Sequence, residues 1–98
     1  MRRLEEIDGI LAGKLPELRA QFGVRELGIF GSCVRNEQTP SSDVDLLVSF
    51  DHPVGFLTFL KLERYLSSLL DAKVDLVSRK ALKPAIGRRI LNEVRFVA

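Results

Sequence analysis

The sequence predicts an α/β (α+β) domain, and three observations carry that reading. Apolar residues recur at helical spacing in the first and third quarters of the chain, two strand-like segments between them lie close enough for a hairpin, and a third strand segment precedes a basic helix. A chain of 98 residues has room for one core, and at this size that core removes roughly 60% of the unfolded chain's surface from water. Residues 1–98 are therefore expected to form a single domain. The hydrophobic fraction of 46% is ordinary, and no apolar run approaches the roughly 20 residues that span a bilayer, so disordered and membrane classes are excluded. The opening Met-Arg-Arg-Leu-Glu-Glu runs straight into an amphipathic pattern, and Cys33 has no second cysteine to pair with. A reducing cytoplasm is the expected compartment.

Leu4, Ile7, Leu11, Leu15, Leu18 and Phe22 form one stripe of a helix over about residues 2–22, closed by Gly23. Gly13 and Pro16 lie inside it, and the missing proline amide predicts a kink or break there. Val24 to Phe30 has strand composition and ends in the small-residue corner Gly31-Ser32, after which a helical turn over 33–36 is expected. The loop formers of 38–42 lead into Asp43 to Phe50, the clearest strand, which Asp51-His52-Pro53 terminates. Phe56, Phe59, Leu62, Leu66 and Leu69 place a core helix over 54–70, Lys73 to Ser78 reads as a third strand, a basic helix follows over 80–92, and Val94 to Val97 offers a short edge strand.

The net charge of +2 conceals two unlike parts. Residues 1–78 hold nine basic and twelve acidic side chains, net −3, whereas residues 79–98 hold six basic and a single acidic one, net +5. A basic stretch of this kind attracts nucleotide, nucleic acid or an acidic partner, or is simply a solvated face. Direct nucleic-acid binding is not expected, because no aromatic residues interleave Arg88 and Arg89.

Asp43 and Asp45 stand two apart on a strand and so project from one face, while Val44 and Leu46 face the other way. Two adjacent carboxylates repel unless a cation lies between them, and hard oxygen ligands suit Mg²⁺ or Mn²⁺. Asp75, between Val74 and Leu76, is a third carboxylate at a position where a strand prefers an uncharged residue. Gly31-Ser32 lets the backbone approach a ligand closely, and its amides and hydroxyl suit phosphate oxygens, although it is neither a Walker loop nor a dinucleotide fingerprint. Taken singly, the glycine-serine corner also reads as a plain turn and the aspartate pair as a strand-edge cap. Arg35 reads either as a phosphate ligand or as a surface arginine, Cys33 as a small inert side chain, and His52 as a loop residue.

Together, Gly31-Ser32, a ten-residue gap, Asp43-Val44-Asp45 and a later lone Asp75 resemble the signature of the DNA polymerase β-like nucleotidyltransferase superfamily. The likeness extends to its minimal nucleotidyltransferase (MNT) branch through Leu27-Gly28-Ile29-Phe30-Gly31-Ser32-Cys33-Val34-Arg35, then Thr39-Pro40-Ser41-Ser42-Asp43-Val44-Asp45-Leu46-Leu47-Val48, and Lys73-Val74-Asp75-Leu76-Val77. These blocks cover about half the chain. The one departure is Arg35-Asn36 where the branch has Arg-Gly, and asparagine is the residue that best replaces glycine at positive φ.

The resemblance implies a polymerase β-like nucleotidyltransferase fold, a small mixed β-sheet backed by helices. It implies Asp43, Asp45 and Asp75 as catalytic and metal-binding carboxylates, with Asp75 helping to activate the attacking hydroxyl, and Gly31, Ser32 and Arg35 as nucleotide-binding residues. The implied activity is Mg²⁺-dependent (or Mn²⁺-dependent) transfer of AMP, or another nucleoside monophosphate, from ATP to a hydroxyl. The implied partner is a HEPN-type toxin, modified on a tyrosine by a chain acting as its antitoxin in a homo- or hetero-oligomer. The alternatives are neutralisation of the partner by contact alone and a small-molecule, aminoglycoside-type nucleotidyltransferase subunit. A chain this short leaves no second domain for the acceptor, so a partner is expected to supply the missing wall.

Overall fold

A computed structural model describes residues 3–39 and 41–97. Its elements are α1 (Leu4–Phe22), β1 (Val24–Phe30), β2 (Val44–Phe50), α2 (Phe56–Leu70), β3 (Val74–Ser78), α3 (Pro84–Glu93) and β4 (Arg95–Phe96). The expected helical residue 2 and Pro40 of the expected loop lie outside the described residues. The strands form one sheet in the order β3-β2-β1-β4, with β1 antiparallel to both β2 and β4, and β2 parallel to β3. The sheet is therefore mixed, as expected.

One face of the sheet carries the core. Leu27 and Ile29 of β1, Val44, Leu46 and Val48 of β2, and Val74 and Leu76 of β3 pack with Ile7, Leu11, Leu15 and Leu18 of α1 and with Leu62, Leu66 and Leu70 of α2. Side chains alternate along a strand, so burying Val44 and Leu46 in this layer sends Asp43 and Asp45 to the other face. The outer edge of β3 is covered by α2: the Val74 amide donates to Ser67 Oγ (3.2 Å) and the Leu76 amide to Glu63 Oε2 (3.0 Å).

The structure departs from the sequence expectations at four places. Helix α1 runs through Pro16 without a break; the proline is exposed, and the buried Leu11, Leu15 and Leu18 on either side hold the helix to the core. The turn after β1 is a 3-10 turn at Gly31–Cys33 that starts two residues early, because Gly31 at φ 79 redirects the chain immediately. The basic segment is divided into a 3-10 turn at Arg79–Ala81 and α3, since Pro84 keeps Lys83 extended and then serves as a first helical residue. Helix α2 begins at Phe56 rather than 54, and of its expected core stripe Leu62 and Leu66 are fully buried but Phe56 is 73% exposed. Asn36 takes φ 59, the conformation expected of the glycine it replaces, and Val94 to Val97 supplies the edge strand β4.

Helix α3 is attached differently from the other two. Gly87 is its one fully buried residue, and Ile86 and Leu91 are exposed. Its C-terminal end nevertheless reaches the face of the sheet that bears the aspartates.

Candidate active site

The parallel pairing of β2 with β3 sets Asp45 beside Asp75, and the antiparallel pairing with β1 sets Asp45 beside Phe30, the residue before Gly31. Three segments distant in sequence thus meet at Asp45. Gly31 permits the approach: a Cβ built there would stand 2.1 Å from Asp45 Oδ2 and 2.9 Å from its Cγ. Asp43 stands one residue before β2 and is aimed by the turn preceding it, where the Thr39 amide donates to Ser42 Oγ (2.8 Å) and the Ser42 amide to the Thr39 carbonyl (3.0 Å). Its Oδ2 lies 4.0 Å from Lys73 Nζ.

Burial pushes the Asp45 carboxyl above its ordinary range, and the neighbouring Asp75 and Asp43 add to the shift; Arg35 opposes it and Glu93 contributes in the same upward sense. An acid crowded in this way is a site where a cation relieves repulsion, so the donor chemistry fits Mg²⁺. As placed here, no three acidic, histidine or cysteine side chains among the described residues converge on a point that would hold a metal. Asp45 and Asp75 are neighbours in register, whereas the Asp43 carboxylate leans toward Lys73.

A cleft of about 270 Å³ opens beside Asp45, lined by Phe30, Gly31, Arg35, Asp45 and Glu93 together with Ile86, Arg89 and Ile90 of α3. A second, of about 500 Å³, runs past Ser41, Ser42, Asp43 and Lys73. Of the residues expected to bind nucleotide, Gly31 and Arg35 line the first cleft, and Ser32 is half-buried in the turn between them. The Gly31 amide donates to Glu93 Oε2 (2.7 Å), and Arg35 Nη1 donates to both Glu93 oxygens (2.9 and 3.0 Å). Arg35 also bonds Glu37, and these two carboxylates, Glu37 foremost, keep its guanidinium charged.

Glu93 is the cleft residue that sequence reasoning missed. Its one signal was to be the sole acid in the basic stretch 79–98. Cys33 is buried, and burial together with Glu5 and Asp45 pushes its thiol up, which agrees with an inert side chain. His52 lies against Gly23 at the end of α1, a packing position away from the carboxylates.

Residues 11–97 match the model of the nucleotidyltransferase domain family. Protein adenylyltransferase MntA of Thermococcus cleftensis is 50% identical over 97 residues, covering 99% of this chain and 98% of that protein. A solved structure described as a candidate minimal nucleotidyltransferase superposes with a TM-score of 0.80 at 32% identity, covering 96% of this chain and 95% of the other. At the level of fold alone, the chain also resembles a chain in the complex of AMPylated Shewanella oneidensis HEPN toxin with MNT antitoxin, with a TM-score of 0.68, 18% identity, and coverage of 93% of this chain and 71% of that one.

Proposed function

The chain belongs to the nucleotidyltransferase domain family, and from that premise we propose that it transfers AMP from ATP, with Mg²⁺, to a tyrosine hydroxyl of a HEPN-type toxin and so acts as its antitoxin. The observation that carries this reading is the meeting of Asp45 with Asp75 and Gly31 at one end of the sheet, beside a cleft that also holds Arg35. The protein-adenylylating name of the half-identical relative supports a protein acceptor, and the fold likeness to the toxin–antitoxin complex supports the kind of partner.

In this reading Asp43, Asp45 and Asp75 would hold a divalent cation once the Asp43 carboxylate turns from Lys73 toward the other two, and the cation would neutralise phosphate charge and the repulsion now centred on Asp45. The Gly31 amide and the Arg35 guanidinium bind phosphate oxygens and orient the triphosphate, and Ser32 stands beside them. Asp75, exposed at the mouth of the site, accepts the proton of the attacking hydroxyl. The hydroxyl oxygen then forms a bond to the α-phosphorus while the bond to the bridging oxygen breaks, so that pyrophosphate leaves and the acceptor carries AMP.

The test is to incubate the full chain with its partner, ATP labelled in the α-phosphate, and Mg²⁺. Label should appear on a partner tyrosine, disappear with chelator, and disappear in Asp43→Asn and Asp45→Asn. Undiminished labelling in both variants would remove the carboxylate site. Full neutralisation of the partner by both variants without ATP would instead assign the protective effect to contact.

A further inference from the structure

We infer that Glu93 is a built-in stand-in for a phosphate group, an autoinhibitory carboxylate that nucleotide must displace from the Gly31 amide and Arg35. The inference rests on the nucleotidyl-transfer reading above and concerns how that site is regulated.

The donors around Glu93 are those expected for a phosphate: a backbone N–H from a glycine corner, and a guanidinium whose Nη1 reaches both carboxylate oxygens. Little else favours a carboxylate there. Glu93 is the last residue of α3, where the helix dipole presents its negative end, and it belongs to the same acidic surroundings that crowd Asp45. Its side chain is only 26% exposed, so water offers it limited compensation. The carboxylate is held at this end of the helix by Gly31 and Arg35.

A phosphate oxygen and a Glu93 oxygen cannot both accept the single Gly31 proton at hydrogen-bond distance, and with Glu37 already on Nε of Arg35, a phosphate at Nη1 meets the two Glu93 oxygens that occupy it. Entry of the triphosphate therefore expels Glu93. Because α3 buries only Gly87, expulsion also removes the polar tie between its last turn and the β1 corner, leaving the β4–β1 pairing just beyond to hold that end. Nucleotide occupancy is thereby linked to the stability of the last turn of an amphipathic helix that exposes Ile86 and Leu91.

Two measurements on the full chain test this. Calorimetric titration with ATP and Mg²⁺ should show Glu93→Gln binding about ten-fold more tightly than the parent, the scale of one charge-assisted hydrogen bond, with adenosine binding the same in both. Hydrogen exchange on the parent, which needs no variant, should show the last turn of α3 exchanging faster when ATP saturates the site. Equal or weaker ATP binding by Glu93→Gln, or unchanged exchange in α3, overturns the inference alone. Failure of ATP to bind either form overturns both the inference and the reading on which it rests.

Discussion

Replacing Gly31 with alanine tests the geometry of the site most directly. At φ 79 any residue with a Cβ carries a left-handed backbone cost of about 1–2 kcal/mol. The added methyl also meets Asp45: Oδ2 at 2.1 Å and Cγ at 2.9 Å yield only if the side chain leaves its rotamer, and Cβ at 3.1 Å only if β1 and β2 shift by a few tenths of an ångström. Overpacking of this kind adds about 1–2 kcal/mol, so Gly31→Ala should destabilise the fold by about 2–4 kcal/mol. For a domain of this size that lowers Tm by roughly 10–25 °C. Urea denaturation followed by circular dichroism gives the free energy, and calorimetry gives Tm. Gly9→Ala is the internal control: Gly9 is an exposed residue within α1 with open space where the Cβ would go, so the change should stabilise by about 0.5–1 kcal/mol. Activity measured where Gly31→Ala is still folded should fall about 100-fold, the scale of a displacement of about 1 Å in a reacting group. A Gly31→Ala protein within about 0.5 kcal/mol of the parent would refute both the close approach and the strain.

Asp45 should make stability depend on pH in a specific sense. Its carboxyl is raised in the fold above the unfolded value near 3.9, so its favourable contribution is complete below that value and is lost as pH rises through the folded one. Asp45→Asn should therefore be more stable than the parent at neutral pH, the difference closing on acidification; a pH-independent difference would contradict the crowding. Mg²⁺ should raise the Tm of the parent more than that of Asp45→Asn, and equal shifts would place the cation elsewhere. Cys33, buried and raised in pKa, should react with a disulfide reagent at the rate of unfolding rather than at that of an exposed thiol. Fast labelling of the native chain would show the turn after β1 to be open.

The candidate carboxylates were legible because strands alternate and because Asp45 and Asp75 stand within apolar runs in which charge is otherwise costly. The turn residues were legible too, as Asn36 at φ 59 illustrates. Pairing was less so: nothing local in Asp75 says that it will lie beside Asp45, since that depends on a crossover through α2. Glu93 was hidden for the same reason, its partners Gly31 and Arg35 lying 62 and 58 residues earlier in the chain. Pro16 and Phe56 misled in opposite directions. The proline's lost hydrogen bond falls on the solvent side of a helix anchored by leucines, whereas Phe56 falls on the helical stripe but at the first residue of α2, where it stays largely exposed at the rim of an open cleft shared with Phe50 and Val77.

The parallel strand β3 carries a consequence for the life of the chain during synthesis. The β1–β2 hairpin is complete by Phe50 and already presents Gly31, Asp43 and Asp45, but the third carboxylate arrives only after α2 has crossed over and β3 has docked, and the Gly31–Glu93 bond closes later still. A nascent or truncated chain ending before residue 74 thus carries two of the three aspartates and no means of bringing a third beside them. The order of the strands makes the assembly of the three carboxylates a late event, dependent on the crossover through α2 rather than on the hairpin that precedes it.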